Sequence, residues 1–131
     1  MRPRHLRTRA QFQALLGGPA VARTQHFALH RLNAPTTLPT DPAQTLFSPV
    51  DAVWVGAMAP KRWARRAVTR NAIRRQIYAV AEDLAPPLAA GAYLVRLRAA
   101  FSLAQFPSAT SEALRRAVRA ELLSLFARGR K

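Results

Sequence analysis

The sequence contains no cysteine, and only six of its 131 residues are Asp or Glu. Without cysteine there is no disulfide framework, no thiolate metal site and no thiol nucleophile, a composition that suits the cytoplasm. The acids are Asp41, Asp51, Glu82, Asp83, Glu112 and Glu121, and no pair has the arrangement expected for acid-base work or a two-metal site. His5, His26 and His30 show no metal-ligand spacing with partners, so no metal site on the chain is assigned. Five glycines, none in a Gly-rich stretch, exclude a phosphate-cradling loop. No apolar run approaches the roughly 18 residues of a membrane span. The start, Met1 to Arg7, is basic with no apolar segment behind it, so no export signal is visible. An amphipathic helix lying on an anionic membrane is the one membrane role these absences leave open.

What is abundant is positive charge. Lys and Arg number 21, giving a formal net charge of +15, while 50% of the residues are hydrophobic. A chain this apolar can bury a core and keep its charge outside, so it is not a disordered basic tail. Its length fits one domain spanning residues 1–131. Self-repulsion of this size calls for a polyanionic partner.

The order of elements follows from periodicity. Thr8 with Gln11 makes a capping-box pattern ahead of Phe12, Leu15 and Leu16, which predicts a short helix over about Arg9–Leu16 ended by Gly17-Gly18-Pro19. Residues His26 to Leu32 alternate as a half-buried strand does, Phe27 and Leu29 opposing Ala28 and His30. Residues 33–50 turn to Pro, Thr, Ala and Asp and read as a Pro-rich loop insertion. Ala52 to Met58 and Ala92 to Arg98 are two further strands; a fourth near Ala20 to Gln25 has only Val21 to support it. A long helix over about Ala67–Leu84 carries Ile73, Ile77, Val80 and Leu84. A last helix, capped by Thr110 or Ser111, carries Leu114, Val118, Leu122 and Leu125 before a basic tail at residues 128–131 that is expected to fray. Helices alternating with short strands in this way predict an α+β fold, a two-layer sandwich of a small mixed sheet and three helices.

The charge is concentrated. Seven of the fifteen residues from Lys61 to Arg75 are basic and none is acidic. A solvated helix face normally mixes signs so that i,i+4 pairs support it, and here no acid is available. Arg66, Arg70 and Arg74 line one helix face, with Arg75 beside Asn71 on another. Arginine outnumbers lysine heavily, lysine being confined to Lys61 and Lys131. That suits bidentate phosphate contact and stacking on bases, although a GC-rich genome would produce the same bias. Core packing is the default role for each aromatic residue. Trp63 is the exception, lying among Lys61, Arg62, Arg65 and Arg66.

The stretch Lys61-Arg62-Trp63-Ala64-Arg65-Arg66-Ala67-Val68-Thr69-Arg70-Asn71-Ala72-Ile73-Arg74-Arg75 resembles the protein component of bacterial ribonuclease P. That family has a strand ending in a Lys-Lys pair, a basic spacer, an Ala-Val-type step and an Arg-Asn-Arg-Ile-Lys-Arg helix. Lys61 and Arg62 match the pair, Arg70 and Asn71 open the signature, and Ile73, Arg74 and Arg75 close it; Ala72 stands where the pattern has Arg. Leu6 with Phe12, His26 to Leu29, Tyr93 to Arg96 and Ser111 to Phe126 resemble the flanking elements, which leaves only the insertion unmatched.

The resemblance implies a left-handed βαβ crossover, against the general handedness rule. It also implies an endoribonuclease whose catalytic groups and most Mg²⁺ ions belong to an RNA subunit. The protein in that family binds this RNA and the 5′ leader of precursor tRNA, and no protein partner is implied. Carried over by position, Arg65, Arg66, Arg70, Asn71, Arg74 and Arg75 would contact the catalytic RNA. Phe12, Phe27, Lys61 and Arg62 would line a cleft for the leader, with Leu16 where an aromatic is often found. A non-enzymatic RNA-binding protein such as a ribosome-associated factor is the alternative.

Overall fold

The computed structural model describes residues 3–33, 47, 52–101 and 111–129. Most of the Pro-rich 33–50 insertion, Thr110, Arg130 and Lys131 lie outside the described residues.

The first helix, α1 (Arg9–Leu16), begins as its sequence predicts. The Thr8 hydroxyl accepts the Gln11 amide at 3.2 Å, and Gln11 Oε1 accepts the amides of Thr8 and Arg7 at 3.1 and 2.7 Å. These bonds occupy amides that the first turn of a helix leaves without partners. At the other end Gly17 keeps a right-handed conformation, φ −68°, so the left-handed exit that the glycine pair suggested is not used.

Five strands form one sheet: β1 (Arg4–His5), β2 (Ala20–Arg23), β3 (Phe27–Asn33), β4 (Val53–Met58) and β5 (Gly91–Leu97), in the order β1-β4-β5-β3-β2. β1 and β5 both run parallel to β4, while β3 is antiparallel to β5 and to β2. Helix α2 (Ala67–Asp83) connects β4 to its parallel neighbour β5, completing a βαβ unit. β2 realises the weak strand signal at Val21; β1 has no counterpart in the sequence reading because two polar residues carry no periodicity.

Strand alternation divides the sheet into two faces. Phe27, Leu29, Val55, Tyr93, Val95 and Leu97 meet Ile73, Ile77 and Val80 of α2 and Leu114, Val118, Leu122, Leu125 and Phe126 of α3 (Glu112–Gly129) in the main core. On the opposite face Leu6, Leu15, Phe47, Ala92 and Leu94 form a smaller cluster under α1. The main sandwich thus has two layers, sheet against α2 and α3, and α1 lies across the other side. The α+β fold with a mixed sheet and three helices is as the sequence predicts.

Ser111 begins α3, its hydroxyl accepting the Leu114 amide at 3.1 Å. The expected frayed tail fails at its first two residues. Arg128 donates to the Arg23 carbonyl at 2.9 Å, and Gly129 is buried where an added Cβ would run into the Leu29 side chain. Close approach to β3 holds the helix end in place.

Candidate nucleic-acid interface

The basic stretch begins where β4 leaves the sheet. Ala59 is buried, and the Pro60 carbonyl accepts the amides of both Trp63 and Ala64 at 3.1 Å, closing a tight turn that exposes Lys61 and Arg62. Trp63 is not a free stacking platform. Its ring is half-buried against the main core, its Nε1 is buried with no hydrogen-bond partner among the described residues, and the Arg62 guanidinium sits 5.2 Å from the ring centroid. The ring therefore fixes Arg62 by a cation–π contact.

Helix α2 then starts without the usual help. Arg66 occupies the N-cap position with no side-chain cap, and no acid lies in the first turn. The positive end of the helix dipole thus reinforces the exposed Arg65 and Arg66. Arg70 is half-buried and turned back, Nη1 donating to the carbonyls of Ala64 at 3.1 Å and Arg65 at 2.8 Å. It pins the loop that presents Arg65 and Arg66, which sequence spacing alone did not indicate. Arg74 donates to Asn71 Oδ1 at 2.5 Å, so Asn71 orients the guanidinium one turn along, and Arg75 is exposed. One turn beyond Arg74, Tyr78 stacks on His5 of β1 with ring centroids 3.8 Å apart, tying the amino-terminal strand to α2. Burial holds the Tyr78 phenol above its ordinary 10.0, opposed by a backbone hydrogen bond with Ala57 and by Arg74.

The other sheet face carries a second group of residues. Phe12 of α1 is half-buried and reaches over β4 at Gly56, where a Cβ would come within 3.1 Å of its ring. Trp54 and Met58 of β4 pack in the same cluster, and the Arg4 guanidinium lies 5.8 Å from the Trp54 ring centroid. Met58 is the register partner of Arg96 on β5, whose Nε lies 3.4 Å from His30 Nε2. His30 Nδ1 is 3.1 Å from the Gly18 carbonyl, so Nδ1 carries the proton and Nε2 is free to accept from Arg96. Burial pushes the His30 pKa below 6.5 against the effect of the Gly18 bond, and the charges of Arg96 and Arg23 add to the lowering.

Of the residues assigned to a leader cleft, Phe12 sits on this face and Lys61 and Arg62 at the end of β4. Phe27 does not. It is fully buried in the main core on the opposite face, beside Phe101, because its place in the alternation of β3 points it at α3. On the face of Phe12 lie Trp54 and Met58, with Arg4 over the Trp54 ring and Arg96 beside Met58. The pairing register that sets them side by side joins strands far apart in sequence, though Trp54, Gly56 and Met58 already share one face by parity.

Comparison with known proteins identifies the family and the fold. Residues 1–121 match the family model described as ribonuclease P. A Staphylococcus aureus RNase P protein structure, at 2.0 angstrom, superposes with a TM-score of 0.65 at 17% identity, covering 96% of this chain and 94% of that one. A second RNase P protein structure from the same organism gives 0.62 at 19% identity, with 94% and 86% covered. No curated protein sequence matches significantly.

Proposed function

The chain belongs to the ribonuclease P protein family, and from that premise we propose that it binds the catalytic RNA subunit and the 5′ leader of precursor tRNA, assisting Mg²⁺-dependent removal of the leader in the cytoplasm. As a family member it is a tRNA-processing, RNA-binding protein with an RNA partner in a ribonucleoprotein. The observation that carries the finer assignment is the basic start of α2. Lys61, Arg62, Arg65, Arg66, Arg70, Arg74 and Arg75 lie on the turn before α2 and along its first turns with no acid among them.

In this reading Arg65, Arg66, Arg74 and Arg75 contact phosphates of the catalytic RNA, Asn71 orients Arg74, and Arg70 holds the loop in shape. The leader lies against Phe12, Trp54 and Met58, which accept any base by stacking or apolar contact, while Arg4, Arg96, Lys61 and Arg62 follow its backbone. Hydrolysis of the phosphodiester falls to the RNA. No three His, Asp or Glu side chains among the described residues gather where they could hold a cation.

The test is cleavage of precursor tRNA by the catalytic RNA at low Mg²⁺, with and without the protein. Strong stimulation is expected, and the protein alone should cleave nothing. Tight RNA binding without stimulation would favour a ribosome-associated role instead. With the phosphate contacts of Arg65, Arg66, Arg74 and Arg75, affinity for the catalytic RNA should fall on the order of a hundredfold between 50 and 200 mM salt. Leader crosslinks should reach Phe12, Trp54 or Lys61; crosslinks confined to other surfaces would overturn the cleft.

A further inference from the structure

A second basic site lies at the same end of the sheet as the turn after β4. Register places Met58 beside Arg96, Leu97 beside Phe27, and Ala28 beside Arg23. The ends of β4, β5, β3 and β2 therefore stand in one row, about 14 Å across at the usual strand spacing. Beneath the β2–β3 turn this row ends in an open recess of about 630 Å³ between Arg23, Thr24, Gln25, Arg98 and the α3 residues Ala117, Ala120, Glu121, Ser124 and Arg128.

Two guanidinium groups are held at its wall. Arg98 Nη1 donates to the carbonyls of Thr24 at 2.7 Å and Gln25 at 3.2 Å, and Arg128 Nη1 donates to the Arg23 carbonyl at 2.9 Å. Both side chains are exposed, and among the described residues neither forms an ion pair. A guanidinium has five N–H donors, and these bonds use only one terminal nitrogen of each. The one acid in the recess is already engaged: Glu121 accepts from the Thr24 hydroxyl at 2.6 Å and from the His26 amide and ring Nδ1, both at 2.7 Å. Its bonds stiffen the turn whose carbonyls hold Arg98.

We propose that this recess is a second phosphate-contact site, binding the phosphodiester backbone of an RNA segment other than the one on α2. Fixed planar forks suit phosphate, and they lose little freedom on binding. A continuous polyanion is the partner because the row runs from Arg98, just past the end of β5, to the turn after β4 that exposes Lys61 and Arg62, so the charge to be neutralised extends across the sheet end. The proposal rests on the RNA-binding role assigned above.

The test measures binding of a bacterial ribonuclease P RNA over a salt series. Arg98→Gln/Arg128→Gln should weaken binding about tenfold or more and reduce the log–log salt slope by about 2, one for each lost phosphate contact. Because these arginines also clasp the turn, Ser124→Glu gives an independent arm. It places an anion at the recess from an exposed helix position without removing either guanidinium. It should weaken RNA binding several-fold, whereas Ala113→Glu, exposed at the far end of α3, should not. If Ser124→Glu binds like the parent while Arg65→Gln/Arg66→Gln binds weakly, the recess proposal falls and the assigned function stands. If the unmodified protein fails to bind the RNA, the assigned function itself falls. Polyglutamate outcompeting RNA of equal charge at the recess would also overturn the proposal, by pointing to an acidic protein.

Discussion

At Gly56 the backbone of β4 is approached so closely by Leu6 and Phe12 that a single methyl group would collide with Leu6 and press on the Phe12 ring. Gly56→Ala should therefore cost about 1–3 kcal/mol of stability, the usual penalty for overpacking a filled site. Urea denaturation would measure it, and crosslinking of a leader at Phe12 should weaken in parallel. His30 supports a prediction of a different kind. Its folded pKa lies below 6.5 because it is buried near Arg96 and Arg23. As pH falls below 6.5 the unfolded chain gains a proton that the folded His30 resists, so this residue's share of stability is full above 6.5 and lost below it. In denaturant titrations over a pH series, His30→Gln should show a shallower loss of stability on acidification than the parent. Equal slopes would show that His30 is not the group responsible.

Among the elements, α2 has two tasks divided along its length. Ile73, Ile77, Val80 and Ala81 are buried against the sheet, while its first turn projects an uncapped, acid-free terminus. Spacing alone puts Arg66, Arg70 and Arg74 on one face as equals, but the structure separates them, because Arg70 is bonded to the loop before the helix. Arg70→Ala should lower both thermal stability, by about 1 kcal/mol for lost hydrogen bonds, and RNA affinity. Arg65→Gln/Arg66→Gln should lower affinity and leave the melting temperature nearly unchanged. A melting temperature unmoved by Arg70→Ala would remove its structural role. The helices were legible because each carries an apolar stripe of several turns, as Leu114, Val118, Leu122 and Leu125 show. β1 and β2 were not, because two and four residues are too few for alternation to emerge, and their pairing depends on β4 and β3.

For the whole molecule, a formal charge of +15 on 131 residues opposes the compact state, with three ion pairs among the described residues, one of them through His26. Anions that bind the folded form should stabilise it by linkage, about 2.7 kcal/mol at a hundred times the dissociation constant. Circular-dichroism melts in rising sulfate, at constant ionic strength set with chloride, should move to higher temperature. Melts that respond to ionic strength alone would show screening rather than site binding.

The sequence by itself determined the types of the longer elements, the buried stripes, the excess of cations and their density between Lys61 and Arg75, since all of these depend on spacing within a few residues. It also carried the family signature that the match over residues 1–121 bears out. Only the tertiary structure decided which aromatic residues face which side. Phe27 and Phe12 look equivalent along the chain, yet strand register buries one under α3 and leaves the other beside Trp54 and Met58. It also decided that Arg98 and Arg128, 30 positions apart in sequence, meet at one turn. The cause is the same in both cases: side-chain direction in a strand is local, but which strands become neighbours is set by the burial of the whole core.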